Sequence, residues 1–193
     1  LGLNIPTKAN KLTVMKEFFI FKFRLKNRDF NTIIDIPEIT DKRMLLATRV
    51  LYDLIPPSYM TSADLNGTYS LIIANIAIKY GNSPYAAFGY GIVALLLGGV
   101  FKNFIDANKL GTVAIKVSEK YFDLDCNAKT NFLYGSFIIH GTKNFKEYKK
   151  YKEISDKGFI LSGNSLFRNY NDFFTRAQHI IFNDANLDTI KKE

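Results

Sequence analysis

Apolar residues recur every three or four positions along most of the chain, and this spacing predicts amphipathic helices rather than strands. The first predicted helix covers about residues 8–26. Its stripe follows the helical spacing through Met15, Phe18, Phe19, Lys22 and Leu25, and Phe21 and Phe23 broaden it. A connector follows over residues 28–39, because Pro37 biases Ile36 away from the helical region of backbone conformation.

Capping residues and helix breakers divide the rest of the chain. A second helix is predicted to begin at Thr40 or Asp41, both good N-caps, and to end before Pro56, which cannot continue a helix. A third begins at Thr61 or Ser62 and ends near residue 80. The other five helices are predicted at residues 84–97, 103–122, 128–142, 145–162 and 165–182. The predicted buried stripe of the second helix is Leu45, Leu46, Val50 and Leu54.

Eight helices joined by short loops form antiparallel neighbours. The pair Tyr90-Gly91 recurs as Tyr134-Gly135, 44 residues later, which indicates a repeated two-helix unit. The chain is therefore predicted to be all-α, an antiparallel helix-hairpin repeat of about eight helices. We expect one domain over residues 1–193, cut from a longer protein, with an N-terminal helix and connector (1–40), stacked helix pairs (41–182) and a tail (183–193).

One apolar stretch raises the question of a membrane span. Residues 81–101 contain no charged side chain, and a bilayer-spanning helix needs about 20 predominantly apolar residues. A turn at residues 81–84 (GNSP) and the pair Gly98-Gly99 shorten the uninterrupted helix to about residues 84–97. This length favours a buried core helix, so no membrane span is predicted.

Charge and cysteine content narrow the classes of function. The formal net charge of +8 suggests nucleic-acid binding, but the lysines are scattered along the chain, as on solvated helix faces. The single cysteine, Cys126, cannot form a disulfide within the chain, which favours a reducing, cytoplasmic location. His140 and His179 are the two histidines, and neither has a further ligand at zinc-site spacing, so no metal and no cofactor are predicted.

No motif indicates catalysis. Gly89 and Gly91 fall inside a predicted helix, where they serve packing rather than phosphate binding. Cys126 is flanked by Asp123 and Asp125, whose charges raise the pKa of a thiol and make it a poor nucleophile. His140 lies on an apolar helix face, where a structural or groove position is typical. The chain is therefore predicted not to be an enzyme.

Three stretches resemble a known family. They are residues 54–59 (LIPPSY), 79–90 (KYGNSPYAAFGY) and 135–140 (GSFIIH), and the middle one is the most specific. In order and approximate spacing they are similar to the tetratricopeptide-like helical region of large bacterial multidomain signalling proteins. Those proteins join a serine/threonine-kinase-like domain, an AAA-type predicted ATPase, the helical region, GAF or PAS sensors and often a histidine kinase.

The resemblance covers about residues 6–163 and implies a tetratricopeptide-like α-solenoid that links the ATPase to the sensors. The kinase, ATPase and phosphotransfer residues of the family match no position in this chain. The predicted function is a non-catalytic interaction or scaffold module that binds a protein, a peptide or a sister domain along a concave face. The candidate partner-binding residues are Tyr80, Asn82, Tyr90 and His140. The alternative is a helical protein that binds nucleic acid through its positive charge.

Overall fold

The computed structural model describes residues 5–26, 28–141 and 147–182, and within these ranges the chain is all-helical. The predicted tail, 183–193, lies outside the described residues. A π-helical turn, Tyr134–Ile138, follows α7, and two short 3₁₀ segments span Phe30–Asp35 and Ile139–Gly141. The α-helices are α1 (Lys11–Leu25), α2 (Lys42–Asp53), α3 (Ile55–Thr61), α4 (Ala63–Tyr80), α5 (Pro84–Gly99), α6 (Phe104–Lys120), α7 (Leu124–Leu133), α8 (Tyr148–Ser162) and α9 (Ser165–Phe182).

Side-chain caps set most of the helix starts. The Asp41 carboxylate accepts hydrogen bonds from the backbone N–H groups of Arg43 and Met44, and the Ser62 hydroxyl accepts one from Leu65. Because each bond satisfies a donor that has no partner within the helix, the predicted starts at Asp41 and Ser62 are confirmed.

The predicted number of helices was too low. Helix α3 was missed because its prolines were interpreted as the end of α2, whereas Pro56 and Pro57 lie in the first turn of α3, where no N–H is required of them. The start of the sixth predicted helix was also wrong. Asp123 caps α7 through the backbone N–H of Cys126, so this helix begins at Leu124 instead of residue 128.

The buried side of α2 differs from the predicted stripe. Met44, Ala47 and Leu51 face the core, whereas the exposed fractions of Leu46 and Val50 are 54% and 40%. The prediction took the row with the most aliphatic side chains to be the buried one. Thr48 and Tyr52 are buried on the other side because their hydroxyls donate hydrogen bonds there, to the Met44 carbonyl and to Asp125. An apolar row is therefore left at the surface of α2.

Helices α4 and α5 occupy the centre of the molecule, and both are buried over their middle turns, from Gly67 to Ala77 in α4 and from Ala86 to Ala94 in α5. Helix α4 packs against α1, α2 and α5, while α5 packs against α4, α6 and α7. A Cβ added to Gly89 would lie 3.1 Å from the backbone oxygen of Ser70, so this glycine permits the close approach of α4 and α5. Among the described residues no helix is both long and apolar enough to cross a bilayer.

Candidate functional site

The structure brings two of the four candidate residues, Asn82 and Tyr90, into direct contact. Asn82 lies in the turn between α4 and α5, and the Tyr90 hydroxyl donates a hydrogen bond to its Oδ1 atom at 2.9 Å. Neither residue has any exposed surface. Burial raises the pKa of Tyr90 well above its ordinary value, so the hydroxyl stays protonated and remains a donor.

The remaining polar atoms of Asn82 hold the connector against this turn. Its side-chain amide donates to the Ile33 carbonyl at 2.7 Å, and its backbone N–H donates to Pro37 at 2.8 Å. Its carbonyl accepts the Ile39 N–H at 2.8 Å. Gly81 adopts φ +123°, and a Cβ there would lie 2.7 Å from the Ile39 backbone, so only glycine fits this approach. Contact of Asn82 or Tyr90 with a partner would require the connector to move away.

Tyr80 and His140 lie apart from this pair. Tyr80 is the last residue of α4; its ring is half-buried, and Lys79 Nζ lies 4.7 Å from the ring centroid. His140 lies in the 3₁₀ segment after the π-helical turn and is also half-buried. The four candidates therefore occupy three places, and a role in partner binding stays a prediction for each of them.

His140 belongs to a polar contact between the π-helical turn and α9. The Gln178 amide nitrogen lies 2.8 Å from His140 Nε2 and also donates to the carbonyls of Gly135 and Ser136 at 3.3 and 3.1 Å. With the amide nitrogen as the donor, Nε2 accepts and the imidazole is neutral in this arrangement. Burial lowers the pKa of His140, although the Ser136 carbonyl acts in the opposite direction.

A buried charged cluster that the sequence analysis missed joins α2, α7 and α9. Lys129 Nζ lies 2.6 Å from Asp125 Oδ2, and it also lies 4.5 Å and 4.6 Å from the ring centroids of Tyr52 and Phe167. Asp125 accepts further hydrogen bonds from the Tyr52 hydroxyl at 2.8 Å and from Asn164 Nδ2 at 2.7 Å. The signal in the sequence was the pair of opposite charges four residues apart, which places both on one helix face.

The charged cluster stabilises ionised Asp125. Burial by itself raises the pKa of this carboxyl, but the hydrogen bonds from Lys129, Asn164 and Tyr52 outweigh burial and hold the pKa below its usual value. An ion pair enclosed by two aromatic rings and satisfied on the acid side by two further donors is typical of a structural contact.

Nothing in the described residues assembles catalytic chemistry around Cys126. Its side chain is buried, and burial raises the pKa of the thiol far above its normal range, with Asp123 and Asp125 acting in the same direction. The hydrogen bond that involves Tyr52 opposes this shift. Within the described ranges, no group of three or more His, Cys, Asp or Glu residues is placed to hold a metal ion.

Comparison with known proteins returns no match: no protein-family model, curated protein or solved structure is similar to this chain. The tetratricopeptide-like resemblance of residues 54–59, 79–90 and 135–140 therefore remains a prediction from the sequence.

Proposed function

We propose that this chain is a non-catalytic helical-repeat module that binds a protein partner through the exposed apolar row of α2. The row consists of Leu46 and Val50 of α2 and of Leu54, the residue directly after its end, which follow one another at the four-residue spacing of a single helix face. Large apolar side chains that lie together at a surface are typical of protein interaction sites. This row is the observation that carries the proposal.

The core contacts of α2 keep the row in place at the surface. On the opposite side of the helix, Tyr52 reaches into the charged cluster and bonds Asp125, while Leu51 is fully buried. Rotating α2 to bury Leu46 would withdraw Tyr52 from its carboxylate partner and from Lys129. The row is therefore a fixed feature of the surface.

Helix α3, which follows α2 directly, also exposes apolar side chains. Tyr59 and Met60 are both exposed, and the Tyr170 hydroxyl of α9 lies 3.8 Å from the Met60 sulfur. Aromatic and methionine side chains are over-represented in the centres of protein interfaces. Tyr59 and Met60 are therefore further candidate contacts for a protein partner.

The arrangement of the helices supports a tetratricopeptide-like solenoid as the architecture of the module. From α4 to α9 each helix packs against the next one in sequence, and α5 also packs against α7. The repeat offset of 44 residues also separates the first residues of α6 and α8. In a solenoid of this kind each unit buries its apolar face only by stacking on its neighbours.

The partner that we propose is a sister module of a multidomain bacterial signalling protein, either the nucleotide-hydrolysing module or a sensor module. The support for this choice is the resemblance of residues 54–59, 79–90 and 135–140 to the helical region that joins such modules. In that setting the chain acts as a scaffold in the cytoplasm and transmits the state of one module to the other.

Calorimetric titration of the 193-residue chain against the AAA-type ATPase module and against the GAF or PAS module tests the proposal. The double variant Leu46→Ser/Val50→Ser removes about 2–3 kcal/mol of apolar burial, so binding should weaken by about 30-fold to 150-fold. The matched control is Ile160→Ser/Leu161→Ser, which changes two exposed apolar residues of α8. Binding that both double variants weaken equally, or neither weakens, would refute the assignment of the α2 row.

A further inference from the structure

Helix α1 has a second apolar face that the core does not use. Phe18, Phe21 and Leu25 are buried, whereas the exposed fractions of Phe19 and Phe23 are 61% and 79%. With roughly 100° of rotation per residue, the two exposed phenylalanines point away from the buried side. They form a ridge along the outside of the helix, and Leu12 extends this ridge toward the N-terminal end.

The turn between α5 and α6 continues the ridge. The Phe101 ring stacks on Phe18 of α1 with a centroid distance of 4.5 Å, which fixes the turn beside the helix. The exposed apolar side chains of this turn and of the first turn of α6 are Val100, Phe101, Phe104 and Ile105. We call the combined surface of Leu12, Phe19, Phe23, Val100, Phe101 and Ile105 the aromatic ridge; Phe104 is not part of it, because its ring packs beside Gly141.

Cationic side chains border the aromatic ridge. A cavity of about 230 Å³ opens between α1, the connector and α6, and its lining includes Lys22, Arg28 and Lys109. None of these three side chains makes a hydrogen bond or ion pair with any residue that the structure describes. The two carboxylates of the cavity, Asp29 and Asp106, each accept a hydrogen bond from a neighbouring asparagine.

We propose that the aromatic ridge and this cavity form a docking surface for an anionic phospholipid membrane. Exposed rings that project from the side of a helix enter the interfacial region of a bilayer, and unpaired cations beside them meet the lipid phosphates. Lys16 and Lys102, which are also exposed, add positive charge along the same border.

This docking is peripheral and uses residues of other helices than the α2 row, so it does not depend on the proposed function. The aromatic ridge belongs to α1 and to the start of α6, and the α2 row lies on another helix. Each surface can therefore be tested by variants that change no residue of the other.

Co-sedimentation of the 193-residue chain with vesicles is the test. We expect binding to vesicles of phosphatidylcholine with phosphatidylglycerol, little binding to phosphatidylcholine alone, and a fall in binding as salt screens the charges. Phe19→Ser/Phe23→Ser should reduce the partition coefficient by about tenfold or more, because two rings no longer enter the interface. Lys22→Glu/Lys109→Glu should reduce it by at least about 30-fold.

Two matched controls distinguish binding through the aromatic ridge and the cavity from the effects of losing any two exposed apolar side chains or of lowering the net charge. Leu161→Ser/Phe173→Ser changes residues of α8 and α9 with exposed fractions of 74% and 65%, which resemble those of the two ridge phenylalanines. Lys149→Glu/Lys157→Glu on α8 alters the net charge as much as the cavity variant does. Both controls should bind the anionic vesicles like the unmodified chain.

Three results would overturn the proposal. The first is no preference of the unmodified chain for anionic vesicles, and the second is an equal loss of binding in the ridge variants and their controls. The third comes from gel filtration without vesicles: a dimer that Phe19→Ser/Phe23→Ser separates into monomers would assign the aromatic ridge to a second copy of the chain. Each variant must unfold at the same Tm as the unmodified chain, and we expect this because substitutions at exposed positions such as Phe23 change stability little.

Discussion

The contact between Asn82 and Tyr90 offers the sharpest test of how the structure is held together. Tyr90→Phe removes one hydroxyl and leaves the packing of the ring in place. The Oδ1 atom of Asn82 then loses its donor in a site with no exposed surface. A buried acceptor left without a partner costs about 1–3 kcal/mol. For a chain of this length, a loss of about 2 kcal/mol corresponds to a decrease in Tm of about 4–8 °C.

Thermal and urea unfolding, followed by circular dichroism at 222 nm, measure this loss. Tyr59→Phe is the matched control, because it removes the same hydroxyl from an exposed ring and should change the free energy of unfolding by less than about 0.5 kcal/mol. In the background of Asn82→Ala, the Tyr90→Phe change should cost about 1 kcal/mol less than it does alone, since the acceptor is already gone.

The same measurement decides between two roles for Tyr90. If Tyr90→Phe and Tyr59→Phe destabilise the chain equally, the buried hydrogen bond contributes nothing and the structural argument is refuted. If Tyr90→Phe leaves Tm unchanged and weakens binding to a sister module, the hydroxyl contacts the partner directly. We expect Tyr90→Phe to lower Tm and Tyr59→Phe to leave it unchanged, because the connector covers both Asn82 and Tyr90.

Three further predictions address the other buried groups. Lys129→Met should lower the free energy of unfolding in urea by about 1–3 kcal/mol, because Asp125 loses its cation but stays partly exposed and bonded by Tyr52 and Asn164; a loss below about 0.5 kcal/mol would contradict this. The pKa of His140 is lower in the folded chain than in the unfolded one, so its contribution to the free energy of unfolding is complete above about pH 6.5 and is lost as the pH falls through the folded-state pKa. In His140→Asn, the dependence of the free energy of unfolding on pH below about 6.5 should become weaker. Cys126 should react with a chromogenic thiol reagent only after urea unfolds the chain, and rapid labelling of the native chain would show that this thiol is accessible.

Local signals in the sequence were sufficient for most of the helix boundaries. Asp41 and Ser62 are short polar side chains ahead of apolar periodic segments, and a cap depends only on its own first turn. The failure at α3 was equally local: a pair of prolines ends one helix and is also permitted in the first turn of the next. Sequence alone does not distinguish these two uses when the helices follow each other without a gap.

The buried side of α2 could not be predicted from such local signals in the sequence. The aliphatic row through Leu46 and Val50 is as regular as the row that enters the core, so periodicity favours neither. The choice depends on Tyr52, whose hydroxyl needs a buried partner that lies 73 residues further along the chain, at Asp125. A side chain that looks polar in the sequence became part of the core because a distant helix supplies its acceptor.

The sequence by itself determined the helical class, the approximate division into helices and the lack of a spanning segment in residues 81–101, because spacing, caps and breakers act within a few residues. Only the tertiary structure decided that Asn82 and Tyr90 lie under the connector, that Lys129 is enclosed by aromatic rings, and that phenylalanines of α1 stay at the surface. These features depend on contacts between residues that lie dozens of positions apart, and such contacts do not appear as a periodic pattern in the sequence.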